Sequence, residues 1–104
     1  MIANNLNPFE PTHPGEVLKD EIEFRGISQK KLAEETGISY TVLNEILNAK
    51  RPLNTEYAML IEAALDLDAE PLLKMQTRYD MQMAKRDNTF MERLNKIRKI
   101  TAVL

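Results

Sequence analysis

Between Ser39 and Arg51 the chain sets Tyr40, Thr41, Asn44 and Glu45 close together, and Asn48, Lys50 and Arg51 follow. The stretch holds no histidine or cysteine. What these side chains share is hydrogen bonding to base edges and to phosphate. Asn makes paired hydrogen bonds to adenine, Glu accepts from cytosine N4, and Thr touches a thymine methyl. Tyr40 can stack or reach a phosphate; its plainer role is a half-exposed packing residue. Gln29 and Ser39 stand at predicted helix starts, where free N–H groups favour phosphate. Lys50 and Arg51 lie just past a predicted helix, placed either to close on a phosphate backbone or to offset the helix dipole.

Other chemistry is poorly supplied. Cysteine is absent, which removes disulfide scaffolds, thiolate catalysis and the common zinc-finger patterns. The single histidine, His13, sits in a Pro-rich lead-in, so a histidine metal site or a catalytic triad has little to build on. There is no Gly-rich phosphate cradle, and the carboxylates are scattered along helix faces. No enzyme activity, metal or cofactor is expected. No apolar run approaches the ~18 residues of a spanning helix, and the first residues lack the basic-then-apolar order of a signal peptide. The cytoplasm is the expected compartment, with no membrane partner.

The chain has 104 residues, enough for one domain; 43% are hydrophobic and 29% charged. Pro8, Pro11 and Pro14 mark residues 1–13 as an extended arm. Beyond it the pattern is helical, and the alternating β-branched runs of strands are missing. A first helix starts at Pro14 or Gly15 with Val17, Leu18 and Ile22 apolar, and ends at Gly26. Ser28 caps a second, whose inward face is Leu32, Ala33 and Thr36; Gly37 ends it. Ser39 caps a third with Val42, Leu43, Ile46 and Leu47 on one face. Pro52 cannot continue it. Asn54 or Thr55 caps a fourth, with Ala58, Met59, Leu60, Ile61 and Leu65. After a turn at residues 65–68, a fifth runs to about Lys85 with Leu72, Leu73, Met75, Tyr79 and Met83. A last segment, 89–104, carries Phe90, Leu94, Ile97 and then Ile100, Thr101 or Leu104.

Residues 28–51 meet the demands of a helix-turn-helix. A small residue, Ala33, stands where two helices cross, and Gly37 follows four residues later, where a tight turn takes a left-handed φ. Ile38 comes directly after the turn, and Leu43 and Ile46 have the spacing of the second helix's inner face. An ordinary corner in a helical bundle would show part of this pattern. With Leu43 and Ile46 inward, Tyr40, Thr41, Asn44 and Glu45 face outward in the N-terminal half of the second helix, the half a recognition helix presents to DNA. The expected architecture is all-α: a five-helix lambda-repressor-like DNA-binding domain over residues 14–85, with an additional basic amphipathic C-terminal helix or tail over 86–104.

The formal net charge is −2, which argues against binding DNA by bulk charge. Its distribution is uneven. Residues 28–51 carry Lys30, Lys31, Lys50 and Arg51 against Glu34, Glu35 and Glu45, and residues 75–104 are net basic. Four cations neutralise only ~3–4 phosphates, so tight binding calls for two copies on a palindromic operator, hence a homodimer. The tail joins Lys85, Arg86, Arg93, Lys96, Arg98 and Lys99 to its apolar stripe. A lone helix of ~15 residues is marginal in water. The stripe packs on the chain's own body, on a second protomer, or in a groove of another protein; its basic side could also add phosphate contacts.

His13-Pro14-Gly15-Glu16-Val17-Leu18, then Gly26-Ile27-Ser28-Gln29, Leu32-Ala33, Thr36-Gly37-Ile38-Ser39 and Leu47-Asn48-Ala49-Lys50-Arg51 resemble the HigA-type antitoxins of the XRE (Cro/C1-type) helix-turn-helix superfamily. The later stretch from Ala63-Ala64-Leu65 through Leu73 to Asp80 is similar to that family's fifth helix, and the likeness covers about residues 13–84. The resemblance implies an antitoxin of a type II toxin–antitoxin module that neutralises a HigB/RelE-like, mRNA-cleaving toxin and represses its own operon as a dimer. Two readings stay beside it: an XRE repressor without a toxin, and a protein-binding helical module with a weakened DNA face. The family often has Asn-Gly-Lys/Arg after its recognition helix. Here Ala49 replaces that glycine, so Asn48 is expected to take the left-handed position. Pro71-Leu72-Leu73 stands where relatives usually carry aromatics.

Overall fold

The computed structural model describes residues 11–103, with side chains through Ile100. Among them are six α-helices and no strand: α1 Pro14–Arg25, α2 Gln29–Thr36, α3 Tyr40–Leu47, α4 Thr55–Leu65, α5 Ala69–Ala84 and α6 Asn88–Val103. Residues 1–10 of the expected arm, the Thr101 side chain and Leu104 lie outside the described residues. No helix described is long and apolar enough to cross a membrane.

Local chemistry sets the helix ends. Oγ of Ser28 accepts from the Lys31 N–H at 3.0 Å, Oγ of Ser39 from Val42 at 3.2 Å, and Oδ1 of Asn54 from Tyr57 at 2.8 Å. Each satisfies a donor that a helix N-terminus leaves orphaned. α2 stops where Gly37 turns left-handed at φ 76°, its N–H bonding the Ala33 carbonyl. α4 ends the same way on Asp66, φ 56°.

The chain falls into two units, residues 12–77 and a second that includes residues 78–103. In the first, α2 packs on α3 and α4, and α1 packs on α3. Leu18, Ile22, Leu32, Leu43, Ile46, Leu47, Leu53, Ala58, Ile61 and Leu65 form its buried centre. Several stripes are narrower than the periodicity predicts. Val17 is exposed beside buried Leu18 and Ile22, and Met59 and Leu60 are exposed on α4. On α5, Leu72 is buried, Leu73, Met75 and Tyr79 are half-buried, and Met83 is exposed. A helix sunk on one side covers about a 100° arc, so apolar residues beyond it meet solvent.

Two polar ties cross the first unit. The Arg25 guanidinium donates to the Leu65 carbonyl at 2.6 Å and pairs with Glu21 at 2.7 Å, so a cation closes the C-terminus of α4. The Leu53 N–H donates to Oε1 of Gln76 at 2.9 Å in a buried bond that anchors the loop after α3 to α5.

The second unit contains the end of α5 and all of α6. Oδ1 of Asp87 accepts from the Phe90 N–H at 3.1 Å and starts α6. No residue from 78 to 100 is buried. Phe90, Ile97 and Ile100 of the predicted stripe are all exposed, and Leu94 is half-buried.

Candidate nucleic-acid interface

The turn between α2 and α3 is braced from within. Oγ1 of Thr36 donates to the Leu32 carbonyl at 2.8 Å and accepts from the Ile38 N–H at 3.2 Å. Ile38 is thereby carried into the core at 5% exposure, with Ala33, Leu43 and Ile46 also buried. With Gly37 left-handed at the turn, the five positions of the motif therefore do in the fold what their spacing implies.

α3 is also fixed from the side of α1, through a four-residue device. His13 is the N-cap of α1: its Nδ1 accepts from the Gly15 N–H at 2.8 Å, and its own N–H donates to Oε2 of Glu16 at 2.8 Å. The reciprocal bonds form a capping box. Pro14 fills a position that needs no N–H. His13 is 1% exposed, so it closes a helix and is not the loose end of an arm. Gly15 then lies against α3, where a Cβ would run into the carbonyl oxygen of Ile46. Only glycine allows that approach, and the approach sets where the recognition helix sits.

The predicted site residues fall into three groups. Nδ2 of Asn44 donates to Oε1 of Gln29 at 2.9 Å, joining α3 to the first turn of α2. One turn on, Nδ2 of Asn48 donates to the Asn44 carbonyl at 2.8 Å, and its Oδ1 accepts from Nζ of Lys19 at 3.0 Å. Glu45 and Arg51 form the second group, an ion pair at 2.8 Å. Tyr40, Thr41 and Lys50 form the third, exposed and pointing away from the core, while Ser39 spends its hydroxyl on the helix cap.

The structure corrects the end of α3. Asn48 has φ −103°, and Ala49 takes the left-handed conformation at φ 61°. The Ala49 N–H bonds the Ile46 carbonyl and the Lys50 N–H bonds the Glu45 carbonyl at 2.8 Å, the paired closure of a Schellman motif, which puts its left-handed residue one place after the cap. The Asn48 side chain is committed to Asn44 and Lys19, and the backbone strain falls on Ala49.

Lys19 is the residue that sequence reading missed. It follows Leu18 on α1 and carries no motif; only the α1–α3 packing brings it to Asn48. The basic supply is also partly spent. Lys31 pairs with Glu35 at 3.0 Å, and that hydrogen bond, with the carboxylate's charge, raises the ammonium above its ordinary pKa. Arg51 is held by Glu45. Among the described residues Lys30 and Lys50 carry no ion pair. No cluster of metal-binding side chains is found among the described residues.

Two short helices at a tight turn, the second exposing its N-terminal polar face, define a helix-turn-helix DNA-binding fold. The helix-turn-helix model HTH_3 matches residues 18–72, and the chain belongs to this XRE-type family. It is 34% identical over 87 residues to virulence-associated protein I of Dichelobacter nodosus, covering 83% of this chain and 81% of that protein. Among solved structures it resembles an addiction-module antidote protein of the HigA family from Coxiella burnetii (30% identity, TM-score 0.71, 81% of this chain and 94% of that one). It also resembles the Pseudomonas aeruginosa antitoxin HigA solved with the higBA promoter (28% identity, TM-score 0.71, 77% and 88%). These neighbours bear out the resemblance to HigA-type antitoxins, and the all-α lambda-repressor-like fold is the one observed.

Proposed function

We propose that this chain is a DNA-binding antitoxin that occupies a palindromic operator as a homodimer, represses its own operon in the cytoplasm and neutralises a HigB/RelE-like, mRNA-cleaving toxin. Its role is binding, not catalysis. The observation that carries the DNA reading is the Gln29–Asn44 hydrogen bond on the outer face of the motif. With Asn44 Nδ2 turned to Gln29 Oε1, Asn44 Oδ1 and Gln29 Nε2 remain as an acceptor and a donor side by side. Adenine offers the matching donor and acceptor, N6–H₂ and N7, in the major groove. Thr41 lies one turn earlier on α3 for a thymine methyl, and Tyr40, Ser39, Lys50 and Arg51 border the face for phosphates. Glu45, Asn48 and Lys19 hold the end of the helix.

The likeness to HigA solved with its promoter supports the operator, and the likeness to an addiction-module antidote supports the toxin partner. With Lys30 and Lys50 as the unpaired cations of the window, one protomer neutralises few phosphates, which favours two copies per site. The test is a mobility shift of the chain's own promoter fragment across a salt series, with co-expression of the adjacent gene product to score growth rescue. Specific, salt-sensitive retardation is expected. No shift at low salt, with or without that product, would end the autorepressor reading.

A further inference from the structure

Glu45 and Arg51 meet across the turn that ends α3. The left-handed Ala49 folds the chain back, and the Glu45 carbonyl takes the Lys50 N–H at 2.8 Å, so Arg51 lies beside the Glu45 carboxylate. Nε of Arg51 donates to Oε1 at 2.9 Å, and its Nη2 stands 2.8 Å from the same Oε1. An arginine fork commonly spreads its N–H groups over both oxygens of a carboxylate. Here both go to one oxygen, and Oε2 takes no hydrogen bond among the described residues. Glu45 follows Asn44 and stands one turn past Thr41, on the outer face of α3. Its side chain is 37% exposed.

We infer that Oε2 of Glu45 selects a cytosine in the operator, and that Arg51 is the residue that positions it. This rests on the operator binding proposed above and adds to Asn44 a second base reader beside it. An ionised carboxylate can only accept hydrogen bonds. In the major groove guanine offers the acceptors N7 and O6, and thymine offers O4 and a methyl group. Adenine has a donor at N6 but sets the N7 acceptor next to it. Cytosine presents an N4–H₂ donor with no acceptor on the same base. Phosphates also repel the carboxylate, so at any other base Glu45 weakens binding, and it discriminates by penalty as well as by contact. Arg51 makes this workable. Its charge offsets the carboxylate near the phosphates, and its two bonds hold the Glu45 side chain with Oε1 satisfied and Oε2 left for the base. A lysine supplies the charge without the planar fork that fixes this geometry.

The test uses the full-length chain and its own promoter fragment, with each base pair replaced in turn and affinities read from binding isotherms. One position should prefer cytosine over the other three bases by about ten- to a hundredfold. Glu45→Gln should erase that preference and admit adenine, whose N6 and N7 an amide matches. Arg51→Lys keeps the cation but should shrink the preference at this one position. In the Glu45→Gln background it should change that position no further. Both side chains are more than a third exposed, so the variants leave the core intact, and a base preference at one position is a readout that a merely structural role would not move. A promoter with no cytosine-dependent position would overturn the inference. So would a Glu45→Gln protein that binds every sequence more tightly by the same factor, which would make Glu45 only a repeller of phosphate. An Arg51→Lys protein with the full preference would overturn the role of Arg51. Specific retardation without these base effects defeats this inference and leaves the operator reading standing, whereas no specific retardation of any fragment defeats both.

Discussion

Gly15→Ala puts one methyl group between α1 and the recognition helix. The added Cβ meets the carbonyl oxygen of Ile46 and, at 3.0 Å, Nδ1 of His13. Neither side can yield by changing a rotamer: one is backbone in the last turn of α3, the other is held in the capping box. Overpacking costs ~1–3 kcal/mol, and this site belongs at the upper end. Replacing glycine inside a helix returns up to about 1 kcal/mol of backbone entropy. The net loss is about 2 kcal/mol, or ~8–16 °C in Tm for a domain of this size. The assay is urea denaturation followed by helical circular dichroism, with operator affinity measured under native conditions, where the variant stays mostly folded. Affinity should also fall, because α3 must shift to make room. Gly37→Ala is the control. A Cβ there meets nothing within 4 Å, and the penalty comes only from φ 76°, about 1 kcal/mol net. Asparagine tolerates that conformation, so Gly37→Asn should recover stability, while Gly15→Asn should not. A Gly15→Ala protein as stable as wild type would refute the close α1–α3 approach.

Asn44→Ala should weaken operator binding by ~1–3 kcal/mol and relax preference at one base position; titration against single-base operator variants checks it, and wild-type selectivity would count against base reading by this residue. Lys50→Ala should weaken all sequences alike and lower the slope of log K against log salt by about one unit, as read from binding isotherms across a salt series. Ala49→Gly relieves the left-handed alanine at φ 61° and should stabilise the domain by ~0.5–1 kcal/mol in the same urea assay; an unchanged midpoint would remove the strain argument.

The helix-turn-helix was legible because its constraints are local. A serine accepts from an N–H three residues on, and a glycine turns the chain four residues after a small alanine; neither needs the rest of the molecule. The cap of α1 was local too, yet it was missed, because histidine is an unusual N-cap and His13 reads as part of a proline-rich arm. At the end of α3 the sequence offered Asn48 and Ala49, and asparagine has the better left-handed propensity. The Schellman bonding pattern overrode it, since the position of the turn is set by which N–H reaches which carbonyl.

By itself the sequence determined the helices, the serine and asparagine caps of α2, α3 and α4, and the motif, all consequences of short-range hydrogen bonding and of a period of 3.6. The tertiary structure decided which partners those residues take. It brought Lys19 to Asn48 across 29 positions, Gln76 to the Leu53 N–H across 23, and Asn44 to Gln29 across 15. It also pressed Gly15 onto Ile46. These contacts depend on the distance between helices, which the packing of many buried side chains sets at once, and no spacing along the chain encodes that distance.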